Sequence, residues 1–189
     1  MRIRESGMPP EDYWESFFNV DLILSKLQFN KKIKDAVEFG SGYGTFSIPA
    51  SKIIKGNLFA FDIDDSMIKI LNRKISDKKL KNIKVIQKDF VTEGTGLKEK
   101  SIDFAMIFNI LHAEEPLKLL NESYRILKPG GKAGVIHWIY SSKTPRGPSL
   151  DIRPKEENCI KWLSETGFDI LVKPVSLPPY HYGLVGIKK

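Results

Sequence analysis

The 189-residue chain has a single cysteine, Cys159, so it can close no internal disulfide and build no cysteine-based metal cluster. No run of about eighteen apolar residues occurs, which leaves no candidate for a membrane-spanning helix. The opening residues MRIRESGMPPEDYW lack the apolar stretch of a secretory leader. Together these absences point to a reducing, cytoplasmic setting and to a site without a resident metal. Hydrophobic residues make up 41% and charged residues 28%, the balance of a chain that folds around a core rather than staying disordered. At this length about 70% of the unfolded surface is buried on folding, so one domain spanning residues 1–189 is expected.

Charge of one sign is in excess. Thirty Lys and Arg stand against twenty-three Asp and Glu, a net +7. Between Lys69 and Lys100 there are ten basic and four acidic residues. Of these, Lys69, Arg73, Lys74, Lys78, Lys79 and Lys81 fall on an expected helix and the turn after it. Such a run is either a solvated outer face or a docking face for RNA.

Short apolar runs alternate with amphipathic stretches. Glu11 to Leu27 reads as a helix with a break near Asn19 to Asp21, started by Pro9 and Pro10. DAVEF (Asp35–Phe39), LFAFDI (Leu58–Ile63), IKVIQ (Ile83–Gln87), IDFAMIFNI (Ile102–Ile110) and AGVIHWIY (Ala133–Tyr140) read as strands. Helices are expected over Tyr43–Ile54, Asp64–Lys78, Pro116–Leu127 and Lys155–Thr166, with a KPGGK turn after the third of these. The fourth strand is almost wholly apolar, as a central strand covered on both faces must be. The alternation predicts an α/β fold, a mostly parallel sheet between two helical layers. The last two runs, Ile170–Val175 and Tyr182–Ile187, leave no room for a crossover helix and must form an antiparallel hairpin.

After the first strand comes Glu38-Phe39-Gly40-Ser41-Gly42-Tyr43-Gly44-Thr45. Glycines there let the chain turn tightly and let a ligand approach main-chain N–H groups. The alternative is a purely structural turn. No G-K-S/T follows, which excludes a nucleoside-triphosphate loop. Asp62 ends the second strand, where a carboxylate can accept both hydroxyls of a ribose. Asp64 or Asp65 better suits a helix cap. Asp89 ends the third strand, before Phe90, and can accept an exocyclic amine.

VEFGSGYG, the Asp62 of AFDID, the Asp89-Phe90 of QKDF, IDFAMIFNILH and LKPGGKAGVIHW resemble, in order and spacing, the class I S-adenosylmethionine-dependent methyltransferases. Within that family, the quinone-biosynthesis and related small-molecule enzymes are the most similar in character. The resemblance runs from Val37 to Trp138. It implies a three-layer Rossmann-like sandwich of seven strands in the order 3-2-1-4-5-7-6, the seventh antiparallel, under an N-terminal lid helix in residues 1–30. It also implies a cofactor-binding core over residues 31–140 and an acceptor side over 141–189. Glu38 would hold the cofactor's amino group, and Gly40, Ser41, Gly42 and Gly44 would line it. Asp62 would take the ribose, Ile63 would pack on the adenine, Asp89 and Phe90 would bind its edge, and Asn109 and Ile110 would meet the methionine portion.

The cofactor is then S-adenosyl-L-methionine, converted to S-adenosyl-L-homocysteine, and the protein mainly positions the reactants for in-line displacement. Where the acceptor must lose a proton, His112 and His137 are the candidate bases, each also readable as a wall residue. Tyr13 and Trp14 either close the lid or bury a helix face. Arg146 and Arg153 either clamp an anionic acceptor or belong to a proline-stiffened connection. His181, in PPYHYG, belongs to the rim or to the hairpin surface. FNIL in place of N/D-P-P-Y/F at the end of the fourth strand weighs against amino-directed nucleic-acid enzymes. The expected partner is a small-molecule acceptor. The alternatives are an RNA or protein acceptor docked on the 69–100 face, or cofactor binding without turnover.

Overall fold

The computed structural model describes residues 7–189; residues 1–6 of the expected lid region lie outside them. The elements follow in the order α1 (Glu11–Glu15), α2 (Val20–Lys26), β1 (Ala36–Phe39), α3 (Ser47–Ile53), β2 (Leu58–Asp62), α4 (Asp65–Asp77), β3 (Ile83–Gln87), β4 (Ile102–Phe108), α5 (Pro116–Ile126), β5 (Leu127–Trp138), α6 (Glu156–Thr166), β6 (Phe168–Leu177) and β7 (His181–Lys188). The seven strands form one sheet in the order β3-β2-β1-β4-β5-β7-β6. β3 through β5 run parallel, and β7 is antiparallel to both β5 and β6. Both the α/β class and the sheet order agree with the sequence expectation.

β4 shows why its sequence is almost wholly apolar. Phe104, Met106 and Phe108 belong to a core layer with Leu24, Leu27, Phe46, Leu58 and Ala60. Ala105 and Ile107 face the opposite layer, with Val37, Phe39, Phe61, Leu120 and Val135. With period-2 side chains and a covered sheet on either side, every position from Phe104 on is hydrophobic, while Asp103 near the start is half-buried and paired with Lys128. Fully burying one such large side chain contributes about 1.5–3 kcal/mol.

The helix ends are set by local chemistry. Asn19 Oδ1 accepts from Leu22 N (3.1 Å) and starts α2, which breaks the first helical stretch at residues 16–19. Asp64 caps α4 through Ser66 N (2.8 Å). Gly167, at φ +101°, ends α6.

Two boundaries differ from expectation. The helix after the first strand begins at Ser47 rather than Tyr43, because residues 40–45 are spent on the glycine loop, where Gly44 N donates to Ser41 O (2.8 Å). The KPGGK segment lies inside β5 rather than before it. Leu127 already pairs with Ile102, and the ladder shifts register before Lys132 pairs with Phe104. A local irregularity absorbs the glycines without ending the strand.

Candidate active site

The carboxyl ends of β1, β2 and β4 open onto a cleft of about 210 Å³. Such sheet ends are where ligands bind in open α/β folds. Glu38 rises from β1 into it, 2% exposed. Burial pushes its carboxyl up to about 8, against the lowering effect of the Ser47 hydroxyl that donates to it; the Asp62 charge adds a smaller upward push. Gly40 and Gly42 line the cleft at φ +76° and +49°. A Cβ on Gly40 would come within 3.2 Å of Ile110, and one on Gly42 within 3.3 Å of Met8. Bare backbone therefore forms this wall.

Asp62, at the end of β2, accepts from Gly42 N (2.7 Å) and Asp64 N (3.0 Å). These bonds fix its carboxylate against the loop, while burial raises its pKa. Ile63, Asp89, Phe90, Asn109 and Ile110 line the same cleft. Three polar side chains on its wall, Ser41 Oγ, Thr45 Oγ1 and both polar atoms of Asn109, are buried with no hydrogen-bond partner among the described residues. Orphaned buried polar groups cost about 1–3 kcal/mol each, so a lining that holds three is built to receive a polar ligand.

Gly44 does not line the cleft. At φ +79°, its Cβ would fall 2.4 Å from Leu71 and 3.4 Å from Ile48. Its place is the close approach of the loop to α4.

The residues expected on the acceptor side are arranged differently from the sequence reading at several points. His112, after β4, lines the cleft, and its Nδ1 lies 3.3 Å from His137 Nε2 in β5. Burial, and secondarily the Arg153 charge, lowers His112 to about 4. His137 is fully buried and held well below its ordinary value by burial, then by His112. It reaches the cleft only through His112.

Arg153 is no free clamp. It is buried, and its guanidinium donates to Pro148 O, Ile139 O, Ser141 O and Thr144 Oγ1 at 2.6–3.0 Å, tying the loop after β5 together. Arg146 donates to the main-chain oxygen of Gly7. His181 is on neither the hairpin surface nor the rim. It is 1% exposed, lies 4.6 Å from the Phe18 ring and 4.3 Å from Trp138, and neither ring nitrogen has a partner among the described residues. The expected surface position fails because β7 pairs with β5 through His181 and Trp138, drawing the hairpin under α1 and α2.

Trp14 lines the cleft, while Tyr13 is 45% exposed and leans on Phe17. The segment is pinned from the other side. Lys74 of α4 donates to Glu11 and to Tyr43 O (2.8 Å), and Tyr43 Oη donates to Pro9 O (2.9 Å). Met8, Thr45, Phe46, Lys88, Val91, Phe108 and Ala113 complete the wall and were not singled out from sequence. Thr45 and Phe108 sat inside recognised strings, whereas nothing in sequence marked Met8.

A family model described as a methyltransferase domain matches residues 36–131, just over half of the chain. The chain belongs to this family. The demethylmenaquinone methyltransferase of Geobacillus sp. (strain WCH70) is 24% identical over 105 residues, covering 54% of this chain and 44% of the relative. The ribosomal protein L11 methyltransferase of Limosilactobacillus fermentum is 35% identical over 107 residues, covering 53% and 31%. The chain thus spans less than half the length of these relatives. Among solved structures, a SAM-dependent methyltransferase from Aquifex aeolicus superposes with TM-score 0.83 at 22% identity, over 95% of this chain and 94% of that one. The geranyl diphosphate C-methyltransferase of Streptomyces coelicolor A3(2) does so with TM-score 0.75 at 11% identity, over 97% and 85%. At these identities the likeness carries the fold.

Proposed function

We propose that this methyltransferase-family chain transfers the methyl group of S-adenosylmethionine to a small-molecule acceptor. The observation that carries the reading is the pairing of Asp62, oriented by Gly42 and Asp64, with an unclad glycine wall and three unsatisfied polar side chains. When bound, the cofactor supplies an electrophilic methyl on a sulfonium. Glu38 would take its ammonium, Asp62 its ribose hydroxyls, Ile63 and Phe90 its purine faces, Asp89 the purine amine, and Asn109 with Ile110 its methionine portion. Met8 and Trp14 exclude water from above.

Where the acceptor carries a proton, His112 is the base. His137 is its positioning residue, since a hydrogen bond across the 3.3 Å gap fixes the His112 tautomer. Because burial holds His112 near 4, it is neutral at physiological pH and a weak base, so its role needs the acceptor proton to be acidified on binding. A cytoplasmic setting fits the buried thiol of Cys159, pushed up to about 12 by burial. The domain plan follows the same reading, with residues 31–140 binding the cofactor and 141–189 bordering the acceptor.

Similarity to ribosomal-protein methyltransferases favours a protein acceptor as the second reading. The experiment is release of S-adenosylhomocysteine from an acceptor panel of phenols, quinols, thiols and small amines, with ribosomal protein as a separate arm. Turnover of a small molecule supports the first reading; turnover of ribosomal protein alone replaces it with the second. With a turned-over acceptor, kcat should stay flat from pH 6 to 8. His112→Ala should lower kcat about 10²–10⁴-fold, and His137→Ala should lower it less and be partly rescued in His137→Asn. Unchanged kcat in His112→Ala would remove the base.

A further inference from the structure

The lysine excess lies only partly on the expected helix face. On α4, Lys69 pairs with Asp65, Arg73 with Asp77 and Lys74 with Glu11. A group of lysines without an ion pair among the described residues stands at the opposite end of the sheet from the cleft, on the segments that lead into strands. Lys78, Lys79 and Lys81 precede β3, and Lys55 precedes β2. Lys31, Lys32 and Lys34 precede β1, and Lys98 and Lys100 precede β4. All nine are exposed, and none has an ion pair among the described residues.

The row continues through Lys128 and Lys132 in the first half of β5 and Lys189 just past β7, with Lys188 beside them buried and its Nζ held by Tyr124 O and Leu127 O. Thirteen lysines against Asp35, Asp77, Glu99, Asp103 and Asp169 concentrate more than the whole +7 on this one edge. Of those acids, Asp103 is engaged by Lys128, Asp77 by Arg73 and Asp169 by Lys189.

The row is crowded. Burial and then the charge of Lys32 lower the pKa of Lys132, and burial and then Lys100 lower that of Lys188. Like charges held close together repel, and a polyanion relieves that repulsion. The sheet order β3-β2-β1-β4-β5-β7 sets the lysines in line. Five interstrand steps of about 4.8 Å make a row of about 24 Å. That is the axial length of about seven base pairs, which carry about fourteen phosphates. The segments leading into β1 to β4 contain no arginine, and of the rings beside the row Phe29 is buried and Tyr124 lies half-buried under Lys188, so the row is suited to phosphates rather than to bases.

We propose that this edge binds the phosphodiester backbone of a nucleic-acid duplex without sequence preference, on the face opposite the methyl-transfer cleft. Binding and methyl transfer are then separable, and the proposal stands whatever the acceptor proves to be.

The test is fluorescence anisotropy of a labelled 20-base-pair duplex titrated with the full chain at several salt concentrations. Co-sedimentation with phosphatidylglycerol vesicles is the comparison arm. The expected result is binding at low salt with a log Kd against log salt slope steeper than about 3, from release of three or more counterions. Two unrelated duplexes should bind alike. The variant Lys31→Gln/Lys32→Gln/Lys78→Gln/Lys81→Gln should weaken binding at least tenfold while leaving the thermal midpoint and its shift by S-adenosylmethionine unchanged. No duplex binding at 50 mM salt, binding to vesicles alone, or full binding by the quadruple variant would each overturn the proposal.

Discussion

Glu38 and Asp62 stand side by side in a buried cleft, and their different partners give them different roles. Asp62 has two main-chain donors that hold its carboxylate in place. Glu38 has one hydroxyl donor and a carboxyl pushed up to about 8. Below that value the unliganded protein keeps Glu38 protonated, and a cationic ligand must draw the proton off. Cofactor affinity should therefore strengthen as pH rises from 6 towards 8, by up to about tenfold per unit. Calorimetry in two buffers of different ionisation enthalpy should register proton release at pH 7. In Glu38→Gln both the proton release and the pH dependence should vanish, and their persistence would place the titrating group elsewhere. Gly44 gives a second residue-level prediction. Gly44→Ala forces a Cβ into Leu71 at a left-handed φ, and should cost about 2–4 kcal/mol in urea unfolding with the cleft chemistry untouched. Sequence spacing named all three glycines alike. It could not tell which faced a ligand and which faced a helix, because that depends on where α4 lands.

Elements were more legible than the contacts between them. The nearly all-apolar β4, the Asp64 cap and the closing hairpin could be read because period, capping chemistry and loop length act locally. The tether of α1 could not, because it joins residues 63 positions apart, Glu11 and Lys74, through an ion pair whose lysine also holds Tyr43 O. From sequence, Lys74 was one of a run of surface cations. In the structure it holds the α1 segment against α4. Lys74→Met should leave the sheet intact and loosen residues 8–15, visible as faster amide exchange there and a several-fold weaker cofactor Kd. Equal exchange in the two proteins would remove the tether. Burial of His181 escaped the sequence for the same reason, since it follows from the β5–β7 register and from Phe18 packing over the hairpin.

At the scale of the molecule, all three histidines gather around the carboxyl ends of β4 and β5, His137 and His181 on opposite faces of the sheet, and burial lowers each below its ordinary value, His112 to about 4 and His181 to about 3. A lowered folded-state value means that the unfolded chain binds the extra protons, so stability falls as pH drops below about 6.5. Glu38, raised in the fold, opposes one of these three protons down to about pH 4.5. The free energy of unfolding should therefore fall by roughly two protons' worth, about 2.7 kcal/mol per pH unit, between pH 6 and 5. His181→Phe should remove one proton from that slope, measured by urea unfolding at each pH; an unchanged slope would mean that His181 does not titrate on unfolding.

The central claim is that the glycine wall, Asp62 and Asp89 together form one S-adenosylmethionine site, and thermal unfolding in the presence of that ligand tests it most directly. At a hundred times its Kd the cofactor should stabilise the fold by about 2.7 kcal/mol, raising Tm by roughly 5–11 °C. NADH should give no comparable rise, and Asp62→Ala should nearly abolish the effect. An equal rise with NADH, or a full rise in Asp62→Ala, would contradict the account.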